Sequence, residues 1–200
     1  NNMVSTAVDF VVMDSTSPEI TINGSFVVDE DTSVVYSSQG TVDNDPCTSS
    51  NRCAIYNWTF TGPKGFEFYS TRWETTVVFP DPGNYLGKLT VGDPSGNENF
   101  RTFTIFVKDI TPPIGNMVGP RKILLGETLV LSANFTDNYE DLGNSSFFRW
   151  SINFVDIYGV NFKWGEREGR TLEIIFEDPG NYTFNLTVTD GSGNSRKDSF

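Results

Sequence analysis

Residues 79–97 read FPDPGNYLGKLTVGDPSGN and residues 176–194 read FEDPGNYTFNLTVTDGSGN, identical at 13 of 19 positions when offset by 97. Whatever fold this chain adopts must therefore fit into roughly half its length and occur twice. Weaker echoes extend the duplication. Asp109-Ile-Thr-Pro-Pro113 follows Asp14-Ser-Thr-Ser-Pro18, and Arg149-Trp150-Ser151 follows Asn57-Trp58-Thr59. The chain divides into a segment 1–14, a first repeat 15–109 and a second repeat 110–200.

Hydrophobic spacing makes both repeats β. In Tyr182–Val188 the apolar Tyr182, Phe184, Leu186 and Val188 alternate with Thr183, Asn185 and Thr187. A period near two also runs through 102–107 and 127–133, and Pro-Gly, Ser-Gly-Asn and Asp-Asn punctuation breaks the runs. No stretch carries a 3.6-residue period. Several short strands per repeat predict an all-β fold of two tandem Ig-like β-sandwiches with an extra N-terminal strand. Trp58 and Trp150 are the expected centres of the two cores. Tyr85 and Tyr182, just after Pro-Gly, are placed to turn a hydroxyl onto nearby backbone as a tyrosine corner. Asp93 and Asp190 precede Ser-Gly-Asn or its equivalent, where an aspartate caps a tight turn.

The run F-x-D-P-G-N-Y…L-T-V…D-x-S-G-N, with a Trp-bearing strand before it and Gly126-Glu-Thr-Leu-Val-Leu-Ser-Ala133 in the second copy, resembles the PKD-type immunoglobulin-like domain. The family's W-D-F-G-D-G run is replaced by Trp58-Thr-Phe-Thr-Gly-Pro63 and Trp150-Ser-Ile-Asn-Phe154. A generic Ig-like or fibronectin-like sandwich accommodates the same pattern. Tandem arrays of this domain are typical of archaeal and bacterial cell surfaces, so the resemblance implies an extracellular structural subunit of a surface layer or filament, with a sugar- or protein-binding adhesion module and an accessory domain pair of a large secreted enzyme as the alternatives.

Composition narrows the functions. The formal charge is −12, from 14 Lys and Arg against 26 Asp and Glu, and a surface this acidic repels nucleic acid and anionic lipid. The absence of histidine removes Ser-His-Asp and Cys-His catalysis and His-ligated zinc. No apolar run is long enough for a bilayer span, so no membrane insertion is expected within the chain. Paired carboxylates of the glycosidase kind remain open by composition, yet the repeats share no acidic constellation beyond their turn aspartates. Cys47 and Cys53, spaced too widely for a CxxC redox motif, read as a local loop disulfide. Such a bond implies an extracellular setting. Two buried thiols are the alternative.

Four further expectations concern sites. Asp137, Asn138, Glu140 and Asp141 cluster in one loop of the second repeat, with Asp109 and Asp190 at the same end of the sandwich. Calcium takes 6–8 hard oxygens, so a Ca2+ ion at these residues is one reading and a solvated acidic loop the other. In the first reading, Asp29, Glu30, Asp31 and Asp81 of the first repeat approach the same end from their own domain's opposite pole, and the ion stiffens the junction between the repeats. Sequons at Asn23, Asn57, Asn134, Asn144, Asn181 and Asn185 are acceptors for N-linked glycans. Strand alternation turns Asn57, Asn134 and Asn185 outward. Phe66, Phe68, Tyr69, Trp73, Phe162 and Trp164 suit either a sugar-stacking face or edge-strand core.

The last expectation concerns 1–14. Val8, Phe10 and Val12 align at an offset of 95 with Phe103, Ile105 and Val107, in the last strand of the first repeat. With Val4 they form a candidate donor strand that completes the second repeat of a neighbouring copy, giving a head-to-tail filament. A window cut from a longer array, with adjacent repeats on either side, and a strand folded back on the first repeat are the alternatives.

Overall fold

The computed structural model describes residues 7–45, 48, 54–139, 142, 147–155 and 158–200. Two compact units form, Asn1–Val107 and Lys108–Phe200. The first contains β1 (Val27–Asp29), β2 (Ser33–Ser37), β3 (Ile55–Thr61), β4 (Glu67–Ser70), β5 (Glu74–Val78), β6 (Gly83–Gly92) and β7 (Glu98–Lys108). The second contains β8 (Ile114–Val118), β9 (Thr128–Thr136), β10 (Phe148–Val155), β11 (Asn161–Glu168), β12 (Thr171–Ile175), β13 (Asn181–Thr189) and β14 (Ser195–Ser199).

Each unit packs two antiparallel sheets. In unit 1 the larger sheet runs β1-β7-β6-β3-β4 and the smaller pairs β2 with β5. In unit 2 the order β14-β13-β10-β11 repeats the larger sheet, without an equivalent of β1 among the described residues, and β12-β9-β8 forms the other layer. Register repeats as well: Trp58 lies opposite Leu89 across β3 and β6, and Trp150 opposite Leu186 across β10 and β13.

Alternation decides what is buried. β3 turns Tyr56, Trp58 and Phe60 inward, and β9 turns Leu129, Leu131, Ala133 and Phe135 inward. Both tryptophans are fully buried with their indole N–H satisfied, Trp58 Nε1 donating to Arg72 O at 2.8 Å and Trp150 Nε1 to Gly169 O at 2.7 Å. A buried indole needs that acceptor, because an orphaned donor in a core costs free energy. Unit 1 surrounds its tryptophan with rings: Phe60 stacks on it at 6.0 Å and Tyr36 and Phe103 lie at 6.5 and 6.4 Å. Both corners form, with Tyr85 Oη donating to Asp81 O at 2.7 Å and Tyr182 Oη to Asp178 O at 2.9 Å.

The N-terminal segment departs from expectation. Residues 7–14 carry no strand, and Val8, Phe10 and Val12 are 80, 85 and 91% exposed. An apolar alternation is held as a strand only by a neighbouring ladder, and none of the described strands pairs with these residues. Val4 lies outside the described residues.

Candidate metal centre

The turn before the last strand positions the first ligand in each unit. Asp93 Oδ1 accepts the Asn97 N–H at 2.9 Å, and Asp190 Oδ1 accepts the Asn194 N–H at 2.8 Å. The turn closes with Gly96 and Gly193 at φ of 89° and 95°, a left-handed conformation that glycine adopts without strain. Asn97 Nδ2 then donates to Asp14 O, and Asn194 Nδ2 to Asp109 O, both at 3.3 Å. The last turn thereby holds the residue at which the chain enters each sandwich.

A third aspartate joins from the loop between the two sheets. Asp14, Asp43 and Asp93 form one cluster and Asp109, Asp137 and Asp190 the other, each with one carboxylate oxygen per residue lying within 4.8 Å of the others. Equivalence under the repeat is complete, at offsets of 95, 94 and 97. Asp93, Asp109 and Asp190 are buried, and Asp14, Asp43 and Asp137 are half-buried.

The two clusters differ electrostatically. Asp109 is raised above the ordinary carboxylate range, first by burial and further by the charges of Asp137 and Asp190, against bonds from the Thr111 amide and Ser192. For Asp93 burial also pushes upward, but bonds from the Asn97 side chain and the Asn97, Ser95 and Gly96 amides outweigh it and the net shift is downward. Converging carboxylates that repel one another present a set of hard oxygens of the kind a cation takes as ligands.

The structure thus joins Asp109, Asp137 and Asp190 of the expected ligands. Asn138 adjoins Asp137 with its side-chain oxygen shielded from solvent. Glu140 and Asp141 lie outside the described residues. Asp81 pairs instead with Lys64 Nζ at 2.6 Å. Sequence reading missed Asp14, which looked like the end of a strand, although its alignment with Asp109 was the available signal.

Other expected sites fall as follows. Asn57, Asn134 and Asn181 are exposed; Asn23 is exposed with Nδ2 donating to Gln39 O at 2.7 Å. Asn185 is half-buried and accepts from Ser199 Oγ at 2.8 Å. Asn144, Cys47 and Cys53 lie outside the described residues, as do the side chains of Phe162 and Trp164. The aromatic stretch of unit 1 divides: Phe66 and Phe68 pack on the core, whereas Tyr69 and Trp73 are 61 and 41% exposed.

A family model described as PKD domain matches residues 110–200. Unit 2 is a PKD-type immunoglobulin-like domain. The mouse dyslexia-associated protein KIAA0319-like protein is 27% identical over 165 residues, which is 76% of this chain and 15% of the relative. The rat dyslexia-associated protein KIAA0319 homolog is 30% identical over 118 residues, 56% of this chain and 10% of the relative. The chain therefore spans a small part of the curated relatives it matches. Among solved structures, a two-domain fibronectin type-III segment of chicken tenascin aligns at 11% identity and a TM-score of 0.41, covering 92% of this chain and 99% of that one. A structure titled for carbohydrate-binding modules of the β-sandwich superfamily aligns at 13% identity and a TM-score of 0.40, with the same coverage. Among the described residues no helix is long and apolar enough to cross a membrane.

Proposed function

We propose that the chain is a non-catalytic structural segment of an extracellular surface protein, repeating an Ig-like sandwich in series to space or present other parts of that protein. The observation that carries this reading is what the repeat preserves: the buried tryptophan, the tyrosine corner and the aspartate-capped turn, all of them scaffold. The match of residues 110–200 to the PKD-domain model supports it. Its test is a glycan array together with a glycoside-hydrolase substrate panel on the purified chain. No binding and no turnover is the expected result. Saturable binding to one glycan class would replace it by a carbohydrate-binding adhesion module, with Tyr69 and Trp73 as the first residues to alter.

One observation favours a finer reading, assembly by strand donation. β7 pairs with the whole of β6, from Gly83 opposite Val107 to Gly92 opposite Glu98, whereas β14 runs for 5 residues opposite Asn185–Thr189. Beside the first residues of β13 lies a slot of about 560 Å³ of mixed character, lined by Leu124, Leu129, Phe176 and Phe200 together with Arg121 and Asp178. Phe10 and Val12 carry the alternation of Ile105 and Val107, which occupy the corresponding place in unit 1, while the place of Phe103, aligned with Val8, is held in unit 2 by Phe200. In a head-to-tail filament, residues 7–13 of one copy would enter the slot of the next. Residues following Phe200 in a longer chain would fill it equally well. Sedimentation across a concentration series separates the two: polymers that vanish in Phe10→Asp support donation, and a chain that stays monomeric leaves the spacer reading alone.

A further inference from the structure

The two aspartate clusters share geometry but not hydrogen bonding. In unit 1 two of the three aspartates are bonded from within: Asp93 Oδ2 accepts Asn97 Nδ2 at 2.8 Å, and Asp14 Oδ1 accepts Thr16 N at 2.9 Å and Asn44 Nδ2 at 2.8 Å, while Asp43 Oδ2 is shielded from solvent. In unit 2, Oδ2 of Asp109 and Oδ2 of Asp190 are sealed from solvent and accept no hydrogen bond, in residues only 8 and 4% exposed. Buried carboxylate oxygens without donors are costly and rare, and two of them converging on a third aspartate call for a cation.

The spacing fits one. Two oxygens bound to the same calcium at ~2.4 Å can be at most about 4.8 Å apart, and for magnesium at ~2.1 Å about 4.2 Å. The three carboxylates meet the calcium limit. Their irregular origin, from a domain entry, a loop between sheets and a tight turn, suits an ion that tolerates 6–8 ligands in flexible geometry rather than a strict octahedron.

We propose that Asp109, Asp137 and Asp190 bind one calcium ion that fixes the entry of the chain into unit 2, and that Asp14, Asp43 and Asp93 are a weakened copy of the same site. The asymmetry follows from Asn97. Binding in unit 1 must displace its side chain from Asp93 Oδ2, whereas Asp190 Oδ2 is already available. The inference is independent of strand donation.

Titration calorimetry of the intact chain with calcium chloride, in buffer stripped by chelator, tests it. One site per chain should bind, with a second weaker by on the order of tenfold or more, as sites of equal charge but different preorganisation do. Asp190→Asn and the less buried Asp137→Asn should each remove the tighter site, and Asp93→Asn should leave it. Calcium should also raise the thermal midpoint of unit 2 in the parent chain and not in Asp137→Asn, with circular dichroism confirming that the variant is folded. Absence of calcium-dependent heat at millimolar concentration would overturn the proposal. So would two equal sites, loss of the tight site in Asp93→Asn, or equal affinity for magnesium.

Discussion

Unit 1 and unit 2 have the same tryptophan, corner and turn, and they differ in what flanks the last strand and in how their aspartates are bonded. In unit 1 the last strand runs for 11 residues between β6 and β1, and the Phe106 N–H reaches Phe26 O at 2.8 Å. In unit 2, among the described residues, β14 is the edge strand of its sheet. At the aspartates, Asp93 Oδ2 in the first unit accepts a hydrogen bond from Asn97, whereas its equivalent Asp190 Oδ2 in the second accepts none. A repeated scaffold thus tolerates different finishing: the inward positions are shared, and the loop ends are where the copies diverge.

Core truncation is expected to have the largest effect. Trp58→Ala and Trp150→Ala remove fully buried rings, at a cost of about 3–5 kcal/mol each in the unit that carries them. Urea unfolding of the full chain should show one transition displaced and the other unmoved. Simultaneous collapse of both transitions would show that the units do not fold independently.

A smaller loss is expected at Gly87. The position is filled by Phe184 in unit 2, but in unit 1 an added Cβ would meet the Phe103 ring at 2.3 Å. Gly87→Ala should therefore cost about 1–3 kcal/mol through overpacking. Unchanged stability would mean that the ring can move aside, and that the glycine is not what admits Phe103.

The two corners should rank by burial. Tyr85 is 1% exposed and Tyr182 half-buried, so Tyr85→Phe, which leaves the Asp81 carbonyl without its donor, should cost about 1–2 kcal/mol and Tyr182→Phe less than about 1 kcal/mol. Chemical denaturation of both variants measures the difference, and the reverse order would break the equivalence.

Acidification gives the subtlest comparison. The folded Asp109 sits above its unfolded value, so its ionisation favours the unfolded chain; unit 2 should gain stability from this group as calcium-free solution falls from neutral pH through that raised pKa. Asp93 sits below its unfolded value, so its contribution is full above about pH 4 and is lost as pH falls through the lowered one. Denaturation midpoints of each unit against pH should diverge in that sense. Asp109→Asn should flatten the rise in unit 2, and an unchanged slope would remove Asp109 as its source.

Much of this was written in the chain before folding. Alternation at Tyr182, Phe184, Leu186 and Val188 determines which side chains are buried, because successive residues of a strand face opposite sides. The Asp-x-Ser-Gly-Asn spacing determines the turn, since the capping carboxylate and the left-handed glycine are local requirements. Both sandwiches followed from these local rules. What only the tertiary structure decided is long-range. Asp14 and Asp93 are far apart in sequence, and their meeting depends on where the entry segment crosses the last turn. Whether an oxygen such as Asp190 Oδ2 finds a donor depends on a side-chain placement that no motif encodes, as Asn97 and Asn194 occupy identical motifs and bond differently. Local chemistry sets the strands and turns, while ligand sets and open edges are sums over distant contacts, which a sequence records only after the sheets have closed.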